Sequence, residues 1–181
     1  MTDVMAIPDL LLRPPLLADA SALAAAVQVS HAELAAWMDW CAPDYGLMAA
    51  AKWIESTVET RERGEAFEFI IVGRGGELLG CCGLNAVDAV NRRANLGYWV
   101  RSDVTGRGVA RAAVRQLLDM AFSTTDMERL EIVVAVGNAP SLAVAAAVGA
   151  QKEGLQRRRL RIHGVLHDAV MFAMLRPAPQ I

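Results

Sequence analysis

Two glycines that flank an arginine, Gly106 and Gly108, lie where a strand-like pattern from Asn95 gives way to a helical pattern over residues 110–121. The first N–H groups of a helix have no internal partners and carry partial positive charge, and glycines let a ligand approach them closely. This arrangement predicts a site for a phosphate or pyrophosphate, to which Arg107 would add charge-assisted contacts. A flexible linker stays open as the alternative for this turn alone, whereas the absence of a following Gly-Lys-Ser or Gly-Lys-Thr excludes a P-loop.

A second strand-to-helix pair follows the first. Residues 130–136 are apolar apart from Glu131 and rich in β-branched side chains, which predicts a short buried strand. Asn138 then suits the N-cap of a helix, Pro140 its first turn and Gly149 its end. A right-handed crossover would place the two strands parallel and adjacent, with each strand leading into a helix N-terminus.

Helical patterns also precede the strands. One helix is predicted from about Asp19, and Ser30 with Glu33 forms a candidate capping box for the next helix. A longer helix is predicted over residues 47–63. Its buried face would consist of Leu47, Ala51, Ile54 and Val58.

Together these features resemble the GNAT superfamily of acyl-CoA-dependent N-acyltransferases, and within it the RimJ/RimL branch of bacterial N-terminal amine acetyltransferases. The resemblance covers nearly the whole chain and is carried by motifs in the expected order. These motifs are Leu11 to Pro14, Trp37 to Trp40, Gly80 to Asn85, Asn91 to Val100, Gly106 to Ala110, Asn138 to Ser141 and Glu153-Gly154. The resemblance implies one α/β (α+β) domain over residues 1–181, with a twisted, mostly antiparallel sheet, a central splayed pair of parallel strands, and helices on both faces.

The resemblance also implies a binding site for acetyl-CoA, with coenzyme A as the product. Pantetheine would lie between the splayed strands, the pyrophosphate on the glycine turn, and the thioester near a backbone amide that polarises the acetyl carbonyl. The implied cofactor-binding residues are Trp99, Val100, Thr105, Gly106, Arg107, Gly108, Val109, Ala110, Arg111, Asn138 and Ser141. Thr105 stands where the family usually has Gln or Arg, so one side-chain contact to the phosphates would be missing.

The catalytic residues of the family are matched less completely in this chain. The resemblance makes Ser141 the acid that protonates the leaving thiolate, and a hydrogen bond at the start of its helix is the alternative role. A glutamate proposed as the base in some relatives is matched here by Leu160. Glu68 and Glu131 are candidate bases because each lies on an otherwise apolar strand, and a water activated by backbone groups is a further alternative.

The segment ahead of the sheet contains aromatic and acidic side chains. Trp37, Asp39, Trp40 and Asp44 are predicted to bind the substrate, with the carboxylates attracting the cation of an amine. The alternative is that the tryptophans only close the core.

The resemblance implies direct transfer of an acetyl group to a primary amine. The N-terminal α-amine of a protein or peptide, ribosomal proteins included, is favoured because its pKa of about 8 makes deprotonation easier than the value of about 10.4 for lysine. Two alternatives stay open. One is acetylation of a small-molecule amine such as an antibiotic or an aminoacyl-nucleotide, and the other is a non-catalytic acyl-CoA-binding protein.

The composition limits the remaining classes. The chain has 181 residues, 54% of them hydrophobic, which is enough for the core of one domain. A net charge of -2 disfavours nucleic-acid binding, and no apolar run reaches membrane-spanning length. The three histidines and three cysteines lack the spacing of metal ligands, so no metal is predicted. We expect a cytoplasmic protein, and a homodimer stays open.

Overall fold

The computed structural model describes residues 9–178, so residues 1–8 and 179–181 of the predicted domain lie outside the described part. The strands are β1 (Leu11–Arg13), β2 (Phe67–Val72), β3 (Leu78–Asp88), β4 (Arg93–Val100), β5 (Arg129–Ala135), β6 (Gln151–Ile162) and β7 (Val165–Leu175). The helices are α1 (Ala20–Val29), α2 (His31–Ala35), α3 (Leu47–Glu62), α4 (Val109–Thr124) and α5 (Ala139–Ala147), with short 3-10 turns at Leu17–Asp19 and Ser102–Val104. Within this range no helix is both long enough and apolar enough to cross a membrane.

The seven strands form one mixed sheet in the order β1-β2-β3-β4-β5-β7-β6. Neighbouring strands are antiparallel except β4 and β5, which run parallel because α4 carries the chain from the end of one to the start of the other. The predicted fold class, a mostly antiparallel sheet with one central parallel pair, is therefore confirmed.

Both faces of the sheet are covered by helices. On one face α4 and α5 bury Leu117, Leu130 and other side chains against the central strands. On the opposite face α1 and α3 bury Val27, Ile54 and Ile70. The side chains of β4 alternate between these two clusters, so one strand contributes to both cores.

Helix α3 has the predicted position but a different buried face. Ala50, Ile54 and Thr57 are buried, whereas Leu47 is 57% exposed and Val58 is 50% exposed. The prediction of a buried face through Leu47 and Val58 is therefore wrong. Residues three and four apart share a stripe of a helix, and the stripe with the small residues packs against the sheet because it allows closer approach.

Ser30 also differs from its predicted capping role. Among the described residues its hydroxyl makes no bond to the start of α2. It donates instead to the carbonyl of Ala26 at 2.9 Å and accepts from the N–H of Ser102 at 3.0 Å. The capping-box prediction is therefore wrong, because this fully buried hydroxyl joins α1 to the segment that precedes the glycine turn.

Candidate active site

The parallel strands β4 and β5 separate shortly after they meet. Pairing between them ends at Asn95 and Glu131, although β4 continues to Val100 and β5 to Ala135. Their outer edges stay paired to β3 and β7. The result is a gap whose two walls offer unpaired backbone groups, and such a gap fits a ligand that carries amides of its own.

The N–H group of Val100 points into this gap. Along an antiparallel strand, successive backbone groups face opposite neighbours. Arg101 donates its N–H to Leu79 of β3 at 2.8 Å. Trp99 directs its carbonyl to the same strand, since a Cβ added to Gly80 would overlap that oxygen. The backbone of residue 100 therefore faces the other side, from which β5 has moved away.

The glycine turn lies beyond the end of β4, at one end of the gap. Gly106 and Gly108 both have a φ of +78°, a conformation that favours glycine, and α4 begins directly after them at Val109. Within residues 9–178, and apart from the two chain neighbours, no atom lies within 4 Å of a Cβ added to Gly106, so this side of the turn is open. Because the first N–H groups of α4 have no partner inside the helix, the turn fits a diphosphate group.

The side chains around this turn differ in exposure. Thr105 and Arg107 are exposed, and Arg111 is half-buried in the first turn of α4. Val109 is buried in the core, so only its backbone is available to a ligand. The Thr105 hydroxyl donates to the carbonyl of Arg101 at 3.3 Å and thereby closes the preceding turn.

Ser141 and Tyr98 connect the two sides of the gap. Ser141 lies in the first turn of α5, where its N–H donates to Asn138 Oδ1 at 3.2 Å, which confirms the predicted N-cap. The Tyr98 hydroxyl lies 2.9 Å from Ser141 Oγ and donates to Ser141 O at 3.1 Å. Burial raises the pKa of the Tyr98 phenol, so the phenol stays protonated at neutral pH. The serine hydroxyl is thus held in place by a second hydroxyl from β4.

Glu68 lies on β2 and directs its carboxylate across β3. It pairs with Gly83, where an added Cβ would overlap Glu68 Oε2, and Gly83 pairs in turn with Gly97 of β4. Burial raises the pKa of Glu68 to about 7, with smaller opposing effects from Arg61 and from a hydrogen bond to Asn85. A carboxylate with this pKa is suited to accept a proton near neutral pH.

A short polar row connects Glu68 with the point where the gap opens. Asn95 donates from Nδ2 to Asn85 Oδ1 at 2.9 Å, which leaves the Asn85 amide nitrogen to donate toward Glu68. Asn95 is also the last residue of β4 that pairs with β5. The row therefore extends from β2 to β4 on the face that α1 and α3 cover.

A cavity of about 400 Å³ lies on this same face of the sheet. Most of its wall is aromatic and aliphatic, while Glu68 and Asn85 contribute polar side chains. The ring of Trp40 lies 5.6 Å from that of Tyr45 and 6.1 Å from that of Trp99, measured between centroids. Because Trp40 is 43% exposed, it forms part of the mouth of the cavity.

The other predicted acceptor residues lie outside the lining of this cavity. Trp37 packs against Gly137, where an added Cβ would come within 2.9 Å of Trp37 Cη2. Asp39 accepts a hydrogen bond from the N–H of His163 at the turn between β6 and β7. Asp44 is exposed in the loop before α3. Asp39 thus joins the hairpin to the loop that carries the tryptophans, a structural role that the sequence did not indicate.

The second candidate base, Glu131, is occupied by ion pairs. Its carboxylate lies 2.7 Å from Arg129 and 3.6 Å from Arg93, and it does not contribute to the cavity lining. Leu160 lies on β6 opposite His167 and also stays outside that lining. Of the two carboxylates named from the sequence, Glu68 is the one that the fold brings to the cavity.

Tyr98 and Gly83 are site residues that were not predicted from the sequence. Tyr98 and Trp99 are neighbours on a strand and therefore face opposite sides, but no local pattern indicates that α5 lies opposite Tyr98. Gly83 lacks a side chain of its own, and its importance follows from its position beside Glu68. Strand register reveals the role of Gly83, and the packing of α5 beside β4 reveals that of Tyr98.

A gap between parallel strands, with a glycine turn at a helix N-terminus beside it, is suited to a ligand that carries amides and a diphosphate, as an acyl thioester carrier does. The sequence agrees with this class. Residues 9–151 match the acetyltransferase (GNAT) domain family, and the chain belongs to that family.

Solved structures share this fold over most of their length. RimL, a ribosomal L7/L12 alpha-N-protein acetyltransferase in complex with coenzyme A, has a TM-score of 0.85 at 26% identity, covering 92% of this chain and 93% of RimL. RimJ of Mycobacterium smegmatis, in complex with CoA-disulfide, has a TM-score of 0.84 at 31% identity, covering 92% of this chain and 81% of RimJ. Coenzyme A is therefore a ligand of these structural neighbours.

Curated relatives match a shorter stretch. The protein YdaF of Bacillus subtilis (strain 168) is 39% identical over 101 residues, which is 56% of this chain and 55% of YdaF. The chain thus matches just over half the length of this relative.

Proposed function

We propose that this protein transfers an acetyl group from acetyl-CoA to a primary amine, and that the acceptor is the N-terminal α-amine of a protein or peptide. The observation that carries this proposal is the gap between β4 and β5, which has free backbone groups on its walls, a pair of hydroxyls beside it, and a cavity with a carboxylate against β4. Acetyl-CoA, when bound, supplies the acetyl thioester that the amine attacks.

Four parts of the chain would hold the cofactor. The backbone N–H groups of residues 108–111 would bind the diphosphate, and the walls of the gap would pair with the amides of pantetheine. Arg107 and Arg111 would add charge to the turn. The Asn138 side-chain oxygen caps α5, and its amide nitrogen, which bonds to none of the described residues, would donate to pantetheine.

Three groups of this chain would take part in the chemistry. The N–H of Val100 would donate to the acetyl oxygen as negative charge develops there, a contribution of about 3 kcal/mol for a fixed donor. Glu68 would take the proton of the amine directly or through one water. Ser141 would donate its hydroxyl proton toward the leaving sulfur, and the Tyr98 hydroxyl, 2.9 Å from Ser141 Oγ, would then turn its one proton from the Ser141 carbonyl to this oxygen. The amine would thus lose its proton on one face of the sheet, and the thiolate would be protonated from the other face.

The properties of Glu68 favour an α-amine as the acceptor. Its pKa of about 7 lies near the value of about 8 for an α-ammonium group and far below the value of about 10.4 for lysine. A proton therefore moves from an α-amine to this carboxylate at small cost. RimL, whose name gives an alpha-N-protein acetyltransferase activity, supports the same choice.

The proposal is tested by following acetyl-CoA consumption with a panel of peptides and small amines. We expect acetylation of peptides that have a free α-amine and no reaction with the same peptides blocked at the N-terminus. Reaction at an internal lysine of the blocked peptides would contradict the α-amine assignment. Calorimetry with coenzyme A, run alongside, separates a non-catalytic acyl-CoA-binding protein from an inactive preparation, because such a protein would bind without turnover.

A further inference from the structure

The acceptor side of the site is an apolar cavity with one ionisable carboxylate. Its walls include Trp40, Trp53 and Trp99, together with Leu23 of α1 and Met38 from the loop after α2. Glu68 and Asn85 supply polar groups on the sheet side, where residues 97–99 of β4 also line the cavity. An amine bound there would direct its nitrogen to the sheet and its substituent to the tryptophans.

The charges around the cavity restrict what the acceptor can carry. Of the described residues that line it, none is Lys, Arg or His. The positive charge of Arg61 lowers the pKa of Glu68. The guanidinium of Arg61, however, donates to the backbone carbonyl of Glu68 at 2.8 Å and lies over the rings of Phe67 and Phe69. A carboxylate on the carbon next to the amine would therefore lie beside Glu68 with no cation to pair with.

The apolar wall restricts the acceptor in a second way. The volume of about 400 Å³ exceeds the need of an amine with a methyl or hydroxymethyl group, which would leave the aromatic wall in contact with water. A large apolar substituent would displace that water and pack against Trp40, which is 43% exposed.

The cavity walls are apolar, and none of the described lining residues is a cation. We therefore propose that the acceptor is an amine bearing an aromatic or large aliphatic group and no free carboxylate beside the amine. This proposal rests on the acetyl-transfer function proposed above and specifies its substrate class. An N-terminal residue with an aromatic or leucine-like side chain fits it, because the peptide bond replaces the carboxylate. A free amino acid and a peptide starting with alanine, serine or aspartate fit it poorly.

A set of three matched acceptors tests the carboxylate rule without any variant. L-Phenylalanine amide and phenethylamine lack the carboxylate that L-phenylalanine carries. We expect kcat/KM, calculated for the neutral amine because the three amines differ in pKa, to be at least about 10-fold higher for the first two, since a like charge beside Glu68 disfavours binding. Equal values for the three compounds would overturn the carboxylate rule.

Peptides that differ only in the first residue test the apolar wall. We expect N-terminal phenylalanine and leucine to exceed serine, alanine and aspartate by about 10-fold or more in kcat/KM. Trp40→Ala should remove most of this preference by raising KM for the phenylalanine peptide, with an unchanged Kd for coenzyme A. Met48→Ala is the matched control, because Met48 is apolar, 82% exposed and outside the cavity lining.

The outcomes separate the two proposals. Equal or faster acetylation of the serine and alanine peptides would overturn the substrate class and leave acetyl transfer intact. Absence of turnover with every acceptor, in protein that binds coenzyme A, would overturn acetyl transfer and with it the substrate class.

Discussion

The carboxylate of Glu68 lies over Gly83, the residue that pairs with it on the next strand. A Cβ on Gly83 would overlap Glu68 Oε2 and would also come within 2.9 Å of the carbonyl of Phe67. Because Gly83 has no side chain, the carboxylate from β2 can extend across β3 toward Gly97, the residue of β4 that pairs with Gly83. The position of the proposed base is set by a residue that has no side chain.

The first prediction concerns Gly83→Ala. The new methyl group should push the carboxylate away from the gap and lower kcat about 10- to 100-fold, because small displacements of a catalytic group have effects of this size. Calorimetry should give an unchanged Kd for coenzyme A. In a Glu68→Gln background the same substitution should have little further effect on kcat. If Gly83→Ala lowers kcat as much in the Glu68→Gln background as in the wild-type protein, Gly83 acts through something other than this carboxylate.

The pH dependence of the reaction gives the second prediction. A base must be deprotonated, so kcat/KM of the wild-type protein should fall as the pH drops below about 7, the pKa of Glu68. Glu68→Gln should lower the rate and remove this limb, while the ionisation of the acceptor amine persists in both proteins. Identical pH profiles for the two proteins would remove Glu68 from the proton transfer.

The third prediction is that the free energy of unfolding also depends on the ionisation of Glu68, and that it falls as the pH rises. The folded-state pKa of Glu68, about 7, lies above its ordinary value of 4.5, so the folded state binds the proton more tightly. Its contribution to stability is therefore complete below about pH 4.5 and is lost as the pH rises through about 7. Relative to wild type, Glu68→Gln should be more stable at pH 8 than at pH 5, by on the order of 3 kcal/mol at most. Urea unfolding at the two pH values measures this difference, and an equal effect at both would contradict the shifted pKa.

The fourth prediction concerns the two hydroxyls at the gap. Ser141→Ala should lower kcat about 100-fold, a usual contribution of a general acid, with a Kd for coenzyme A within about 3-fold of wild type. Tyr98→Phe should lower kcat less, since it removes only the group that holds the serine hydroxyl. Single-turnover kinetics of the single and double variants checks this order. A wild-type rate for Ser141→Ala would leave the serine with a purely structural role at the start of α5.

The glycine turn gives the fifth prediction. Gly108→Val should weaken coenzyme A binding about 10-fold or more, because the side chain strains a φ of +78° and occupies space beside the helix N-terminus. Gly64→Val is the matched control, since Gly64 has a φ of +70° at the end of α3 and an added Cβ there would meet none of the described residues beyond its chain neighbours within 4 Å. Both variants should lose similar stability, and only the first should lose affinity. Equal affinities, measured by calorimetry on folded protein, would contradict the assignment of the turn as an anion site.

The sequence by itself predicted the two strand-to-helix pairs and the glycine turn of the proposed cofactor site. The turn at residues 106–108, the helix that follows it and the N-cap at Asn138 depend on local backbone chemistry, so each could be predicted from neighbouring residues. The buried face of α3 and the role of Ser30 could not, because they depend on what packs against each helix. Leu47 and Val58 are apolar yet exposed, while the hydroxyl of Ser30 is buried between two elements.

Only the tertiary structure decided which chemical groups meet. Tyr98 and Ser141 are 43 residues apart and lie 2.9 Å from each other because α5 packs beside the splayed end of β4. Glu68 was one of two equal candidates in the sequence, and strand register directs it over Gly83 while Glu131 is occupied by arginines. Local sequence sets backbone conformation through neighbouring atoms, whereas proton-transfer groups are brought together by contacts between strands and helices that are distant in the chain.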